Sequence, residues 1–80
     1  MLAELKTGNK VVGIKQSQRA VAGGNAAEAF VAGDCDARIR AAFTELCASC
    51  GVPLVSVPTM AELGAACGIQ VGAAAAALLR

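Results

Sequence analysis

The sequence predicts a three-layer α/β/α sandwich built on a four-stranded sheet. Three observations point there. Short apolar runs alternate with stretches of helical apolar spacing, the helical stretches stop at glycines, and capping residues stand ahead of two of them. Strands joined by crossover helices make the first three strands most naturally parallel, with helices packed on both faces. The 80 residues are enough for one domain, 1–80. A chain of this size buries about 60–65% of the surface its unfolded form exposes.

Each element has a local reason. "LAELKTG" reads as a short helix with Leu2 and Leu5 inward and Gly8 at its end. "KVVG" is a short strand. "KQSQRAVA" is a helix closed by Gly23 and Gly24. "EAFVAG" is a continuous apolar strand, the pattern of burial on both faces. Asp36 then caps a helix from about Ala37 to Ser49, because its carboxylate can accept the orphan amides of the first turn. Ile39, Ala42, Phe43, Leu46, Cys47 and Cys50 recur at helical spacing as its buried stripe, and Gly51 ends it.

"PLVSV" is the third strand. In "PTMAEL", Thr59 and Glu62 form a capping box for a helix Met60–Cys67 that stops at Gly68. The loop "GIQVG" leads to "AAAAALLR". Propensity alone makes that tail helical, since Ala is the best helix former. Its place after the alternation makes it a last strand packed between layers.

Composition narrows the function. Apolar residues make up 56% and charged residues 16%, a globular balance. Phe30 and Phe43 are the only aromatics, which argues against a stacking platform for single-stranded nucleic acid. The net charge of +1 argues against a broadly basic surface, but the charge is unevenly placed. Residues 1–20 hold four cations against one carboxylate, a net +3, and residues 21–80 hold three against five, a net −2. "MLAELKTG" lacks an apolar core of signal length. The apolar run "AAAAALL" is far short of the roughly 20 residues that span a bilayer. A cytoplasmic protein is expected, with no membrane contact and with its four cysteines as reduced thiols.

Four motifs could carry chemistry. "CASC" offers Cys47 and Cys50, but a zinc site wants four ligands and the chain has no histidine. The pair falls at the C-terminal end of its helix, where the dipole disfavours a thiolate. Small buried apolar residues are the simpler reading, with no metal and no cofactor expected. "GDCD" puts Asp34 and Asp36 at the end of a parallel strand, where α/β enzymes place catalytic groups. No partner stands at a convincing spacing, so Asp36 is read as a helix cap and Asp34 as a turn residue, and no catalysis is expected. Gly23 and Gly24 match no phosphate-loop pattern and serve as a helix stop.

"KQSQR" is the fourth. A cation in a helix's first turn costs about 0.3–1 kcal/mol against the dipole. Lys15 and Arg19 also repel at i, i+4. A solvated face is one reading. A site for nucleic acid or for another anionic ligand is the other. Bare amides at a helix N-terminus bind phosphate oxygens. Lys15 can donate to guanine O6 and N7, the Gln16 amide can donate and accept, and Arg19 can grip a phosphate.

"GIKQSQRAV", "AFVAGDCD" and "LCASCGVPLVSVPTMAELGAACGIQVGAA", in that order, resemble the L7Ae/L30e ribosomal protein family, particularly its small bacterial YbxF/YlxQ-like members. The likeness covers about Lys6 to Leu79. It implies a last strand antiparallel to its neighbour, hence a mixed sheet, and a monomer that binds structured RNA at kink-turns, in ribosomal RNA or a riboswitch. Kink-turns are helices bent sharply by a bulge beside tandem sheared G·A pairs. By position, Gly13 lets the backbone approach the groove, Lys15 and Gln16 contact the guanines, and Arg19 stands where the family has a helix lysine. Ile69, Gln70 and Val71 cover the flipped-out bulge nucleotides, and Asp36 matches an acidic position near the bulge. Archaeal and eukaryotic members carry Asn-Glu where this chain has Lys15-Gln16, and many members carry a lysine where it has Met60. A neutral Gln16 lacks the stronger acceptor of a carboxylate. The same fold can also serve as a protein-interaction module with RNA binding weak or lost, which is the alternative expectation.

Overall fold

In the computed structural model, which describes residues 8–80, strand β1 is Lys10–Val12, helix α1 Ile14–Ala22 and strand β2 Ala26–Ala32. Helix α2 is Ala37–Cys50, strand β3 Leu54–Val57, helix α3 Met60–Ala66 and strand β4 Ala75–Leu79. The helix expected in "LAELKTG" falls, apart from Gly8, outside the described residues. The strands lie in the order β1-β4-β2-β3. β2 and β3 are parallel, and β4 is antiparallel to both β1 and β2. β1, β2 and β3 therefore run the same way, as the crossover helices require. β4 returns between β1 and β2 and makes the sheet mixed.

α1 and α2 pack on each other, α1 over β1 and β4, and α2 over β2. α3 packs against β2, β3 and β4. Val31, Leu54 and Ser56 share a surface with Ala37, Ala41 and Thr44 of α2. Side chains alternate along a strand, so Phe30 and Val55 point to the opposite face, which α3 covers. The result is three layers. Phe30, Phe43 and Leu63 are the largest completely buried side chains, and Ala75, Ala76 and Ala77 beside them are buried equally fully. Burying a Phe or Leu contributes about 1.5–3 kcal/mol, so these few residues anchor a small core.

Several boundaries differ from expectation. β2 starts at Ala26, ahead of Glu28, with a register irregularity between the two. α2 buries only Phe43 and Cys47, with Leu46 half-buried, while Ile39, Ala42 and Cys50 are exposed. Because α1 occupies part of the same face, α2 turns only an i, i+4 stripe inward. Thr59 Oγ1 accepts from the Glu62 amide at 3.1 Å, as a capping box requires. The Glu62 carboxylate, however, takes the Thr59 hydroxyl at 3.3 Å and not the Thr59 amide. Among the described residues, no helix is long and apolar enough to cross a membrane.

Candidate nucleic-acid interface

β1, β2 and β3 run in one direction and each leads into a helix. The N-termini of α1, α2 and α3 therefore gather at one end of the sheet, where β4 begins. This is the end at which open α/β sheets place ligand sites. Backbone bonds tie the end together: Gly13 N to Ala75 O at 2.8 Å, Ala32 N to Ala74 O at 2.9 Å, and Gly33 N to Val57 O at 2.7 Å.

The three helix starts are not alike. Asp36 caps α2, its carboxylate accepting from Arg38 N at 2.8 Å and Ile39 N at 3.3 Å. α3 has Thr59 and also Asp34, whose carboxylate reaches across 26 residues to accept from the Met60 amide at 2.7 Å. Asp34 is thus a helix cap acting over long range, more than the turn residue expected. α1 starts at Gly13, with φ 102° and ψ 154°, no side-chain cap and no acidic residue in its first turn. That backbone conformation is open to glycine and costly for other residues. A Cβ at Gly13 would meet nothing within 4 Å, so conformation and not space demands glycine there.

The first bond of α1 runs from Ser17 N to Gly13 O at 3.0 Å. The amides of Ile14, Lys15 and Gln16 precede it at the helix's positive pole and, among the described residues, have no acceptor. Ser17, Ala20 and Val21 are buried, which fixes the rotation of α1 and turns Lys15, Gln16 and Arg19 to solvent. Ser17 Oγ is buried without a hydrogen-bond partner.

The loop after α3 completes this end. Ile69 N donates to Gly64 O at 3.1 Å and Ala73 N to Met60 O at 3.0 Å, so the loop is pinned to α3 on both sides. Gly64 allows the approach: a Cβ there would lie 2.0 Å from Val71 O and 3.0 Å from Val71 C. The loop's residues are not equivalent. Val71 is 70% exposed, Gln70 is exposed, and Ile69 is half-buried against the core. Val71 is thus the apolar contact the loop offers.

Gly13, Lys15 and Gln16, the start of α2 at Asp36, and the 69–71 loop thus share one end of the sheet. Arg19 lies one turn along α1, where it also faces Lys15, Gln18 and Leu46 in the cleft toward α2. The Asp36 carboxylate is already engaged by two amides. Sequence reasoning missed Asp34 as a cap and Gly64 as the seat of the loop. It also missed Arg40, which donates through Nη1 to Gly33 O. The cysteines are all free thiols, with Cys47 buried and Cys50 exposed. Burial, then the neighbouring Cys50, pushes the Cys47 thiol above its ordinary value. Burial raises Cys67 as well, opposed by Lys10. Both are therefore poorer thiolate sources than a free cysteine. Among the described residues, no three His, Cys, Asp or Glu side chains come together as metal ligands would.

Comparison with known proteins gives this arrangement a context. Residues 2–80 match the model of the ribosomal protein L7Ae/L30e/S12e/Gadd45 family. The chain is 47% identical over 76 residues to an RNA-binding protein of Geobacillus kaustophilus, covering 95% of this chain and 93% of that one. It is 46% identical over 76 residues to the RNA-binding protein YbxF of Geobacillus stearothermophilus, with the same coverage of 95% and 93%. Among solved structures, the Giardia lamblia 15.5kD RNA binding protein superposes with a TM-score of 0.90 at 26% identity, over 99% of this chain and 70% of that one. With its mixed four-stranded sheet and a family match running from residue 2 to residue 80, the chain belongs to the ribosomal protein L7Ae/L30e/S12e/Gadd45 family.

Proposed function

We propose that this protein binds structured RNA at a kink-turn and stabilises the bent form, without catalysing a reaction. The observation that carries the reading is the uncapped start of α1. Two helices at this end of the sheet each have two first-turn amides satisfied by Asp or Thr side chains, and the third starts without a side-chain cap for Ile14, Lys15 or Gln16, beside a cation. An anionic partner relieves both the unpaired amides and the misplaced charge. The relatives' names as RNA-binding proteins support RNA as that partner.

A kink suits this end better than a regular duplex. The major groove of A-form RNA is too deep and narrow for side chains to read. A bend that opens it admits the α1 terminus. Lys15 and Gln16 then meet guanine edges, Arg19 meets a phosphate, and Val71 covers an unstacked base. Gln70 stands exposed beside it for a polar contact.

The test is a titration of a labelled kink-turn against the same RNA with its G·A pairs changed to Watson–Crick pairs. Strong preference for the kink-turn is expected. Equal binding to both sinks the reading. Lys15→Ala with Gln16→Ala should abolish the preference. Arg19→Ala should weaken binding to both RNAs and lower the salt dependence by about one phosphate contact. A protein that binds neither RNA but retains a protein partner in a pull-down is an interaction module instead.

A further inference from the structure

A groove of about 360 Å³ runs from the first turn of α1 to the end of β4. Val11 and Leu79 form its apolar floor, and Gln16, Arg19, Asn25 and Arg80 stand around it, all four exposed. Two guanidinium groups and two carboxamides thus face one hollow, and among the described residues no Asp or Glu side chain lines it. Arg80 is held in place. Its amide donates to Asn25 O at 2.8 Å and its Nε to Ala26 O at 3.4 Å, and among the described residues the two terminal nitrogens of the guanidinium have no partner.

From this we infer that the groove is a track for the phosphodiester backbone of RNA lying beyond the kink, with Arg80 and Asn25 as binding residues. The inference rests on the reading of the α1 start as an RNA site. Four features favour a continuing RNA strand. Gln16 belongs both to the α1 start and to the groove, so a strand leaving one enters the other. A guanidinium fork matches phosphate oxygens in pairs. Two like charges sharing a hollow repel in the free protein, and a polyanion relieves them. The apolar floor suits the carbon face of ribose.

The experiment measures affinity against salt for two kink-turn RNAs, one with long flanking helices and one with those helices cut back. Arg80→Gln should lose about two- to five-fold in affinity for the long RNA at 0.15 M salt, the range of an exposed ion pair. Its log–log salt slope should shrink by about one contact. Arg80→Lys should keep the slope, and on the short RNA Arg80→Gln should match wild type. Thermal melts check that the variants remain folded. Wild-type affinity and slope for Arg80→Gln on the long RNA overturn the inference, as does an equal loss on both RNAs. If wild type prefers the kink-turn while Arg80→Gln changes nothing, only the groove assignment falls. If wild type shows no preference for the kink-turn, the underlying reading falls and takes the groove with it.

Discussion

Gly64→Ala tests how the loop after α3 is held. In a helix interior, Ala is favoured over Gly by about 0.8–1.0 kcal/mol, so the substitution would stabilise an isolated α3. Here the new Cβ would sit 2.0 Å from Val71 O, 3.0 Å from Val71 C and 3.2 Å from Gly72 Cα, all backbone atoms. Ordinary contact begins at 3.4 Å. The loop must therefore retreat by about 1.4 Å, or the carbonyl must swing aside, while Ile69 N and Ala73 N remain bonded to α3. Overpacking of this kind costs about 1–3 kcal/mol. After the helix gain, a net loss of up to about 2 kcal/mol remains, which lowers the melting temperature of a domain this size by up to roughly 16 °C. Displacing Val71 should also cost at least about ten-fold in affinity for a kinked RNA, or 1.4 kcal/mol, with the Lys15 and Gln16 contacts intact. Thermal denaturation by circular dichroism and an RNA titration read the two effects. A variant that melts at or above the wild-type temperature and binds RNA like wild type refutes the argument.

Other outcomes follow from single groups. Ser17→Ala removes a buried hydroxyl without a partner and should stabilise the protein by about 1 kcal/mol; a lowered melting temperature contradicts this. Asp34→Ala removes the carboxylate on the Met60 amide and should cost about 0.5–2 kcal/mol, while Asp34→Asn, which can still accept, should lose less; equal stability of all three proteins in urea rules the cap out. The Cys47 and Cys67 thiols are both raised above their ordinary value, so the folded state holds their protons more tightly than the unfolded chain. Their contribution is whole below the ordinary thiol value of about 8.5 and is lost as pH climbs toward the raised values. Urea midpoints at pH 7, 8.5 and 10 should show an alkaline fall in wild type that Cys47→Ala/Cys67→Ala lacks, and parallel falls in both proteins would contradict it.

Much of this architecture is legible in local chemistry. Asp36 announces α2, and Thr59 with Glu62 announces α3, because an unpaired first-turn amide needs an acceptor close by in sequence. Gly13 followed by Lys15 and Gln16 marks the opposite case, a helix start left bare. Asp34 was harder to place because its partner, Met60, is 26 residues away. No local spacing reveals that a turn residue after one strand caps the helix after the next. Arg80 likewise reaches Arg19 and Asn25 only once β4 is inserted in the sheet, and Gly64 matters only because the loop folds back on α3. The buried stripe of α2, Phe43 and Cys47, is narrower than its helical spacing implies. Helical spacing shows which side chains share a face, and only the neighbouring α1 decides how much of that face is covered.

The alanine tail draws the line between the two kinds of information. The alternation of elements, the helix starts and the places of Lys15, Gln16 and Arg19 on α1 are written in the sequence alone, since each rests on hydrogen bonds and backbone preferences within a few residues. Residues 73–80, "AAAAALLR", have a local preference for helix. The tertiary structure overrides it. β1 and β2 flank the segment and hydrogen-bond to β4 from both sides, and helices cover both faces, so Ala75, Ala76 and Ala77 are completely buried. A central strand whose backbone groups are satisfied by neighbours outweighs a propensity of a few tenths of a kcal/mol per residue. Small side chains then let the layers close over it. That insertion also puts Ala75 beside Gly13, bringing the bare helix start and the Val71 loop to the same end of the sheet.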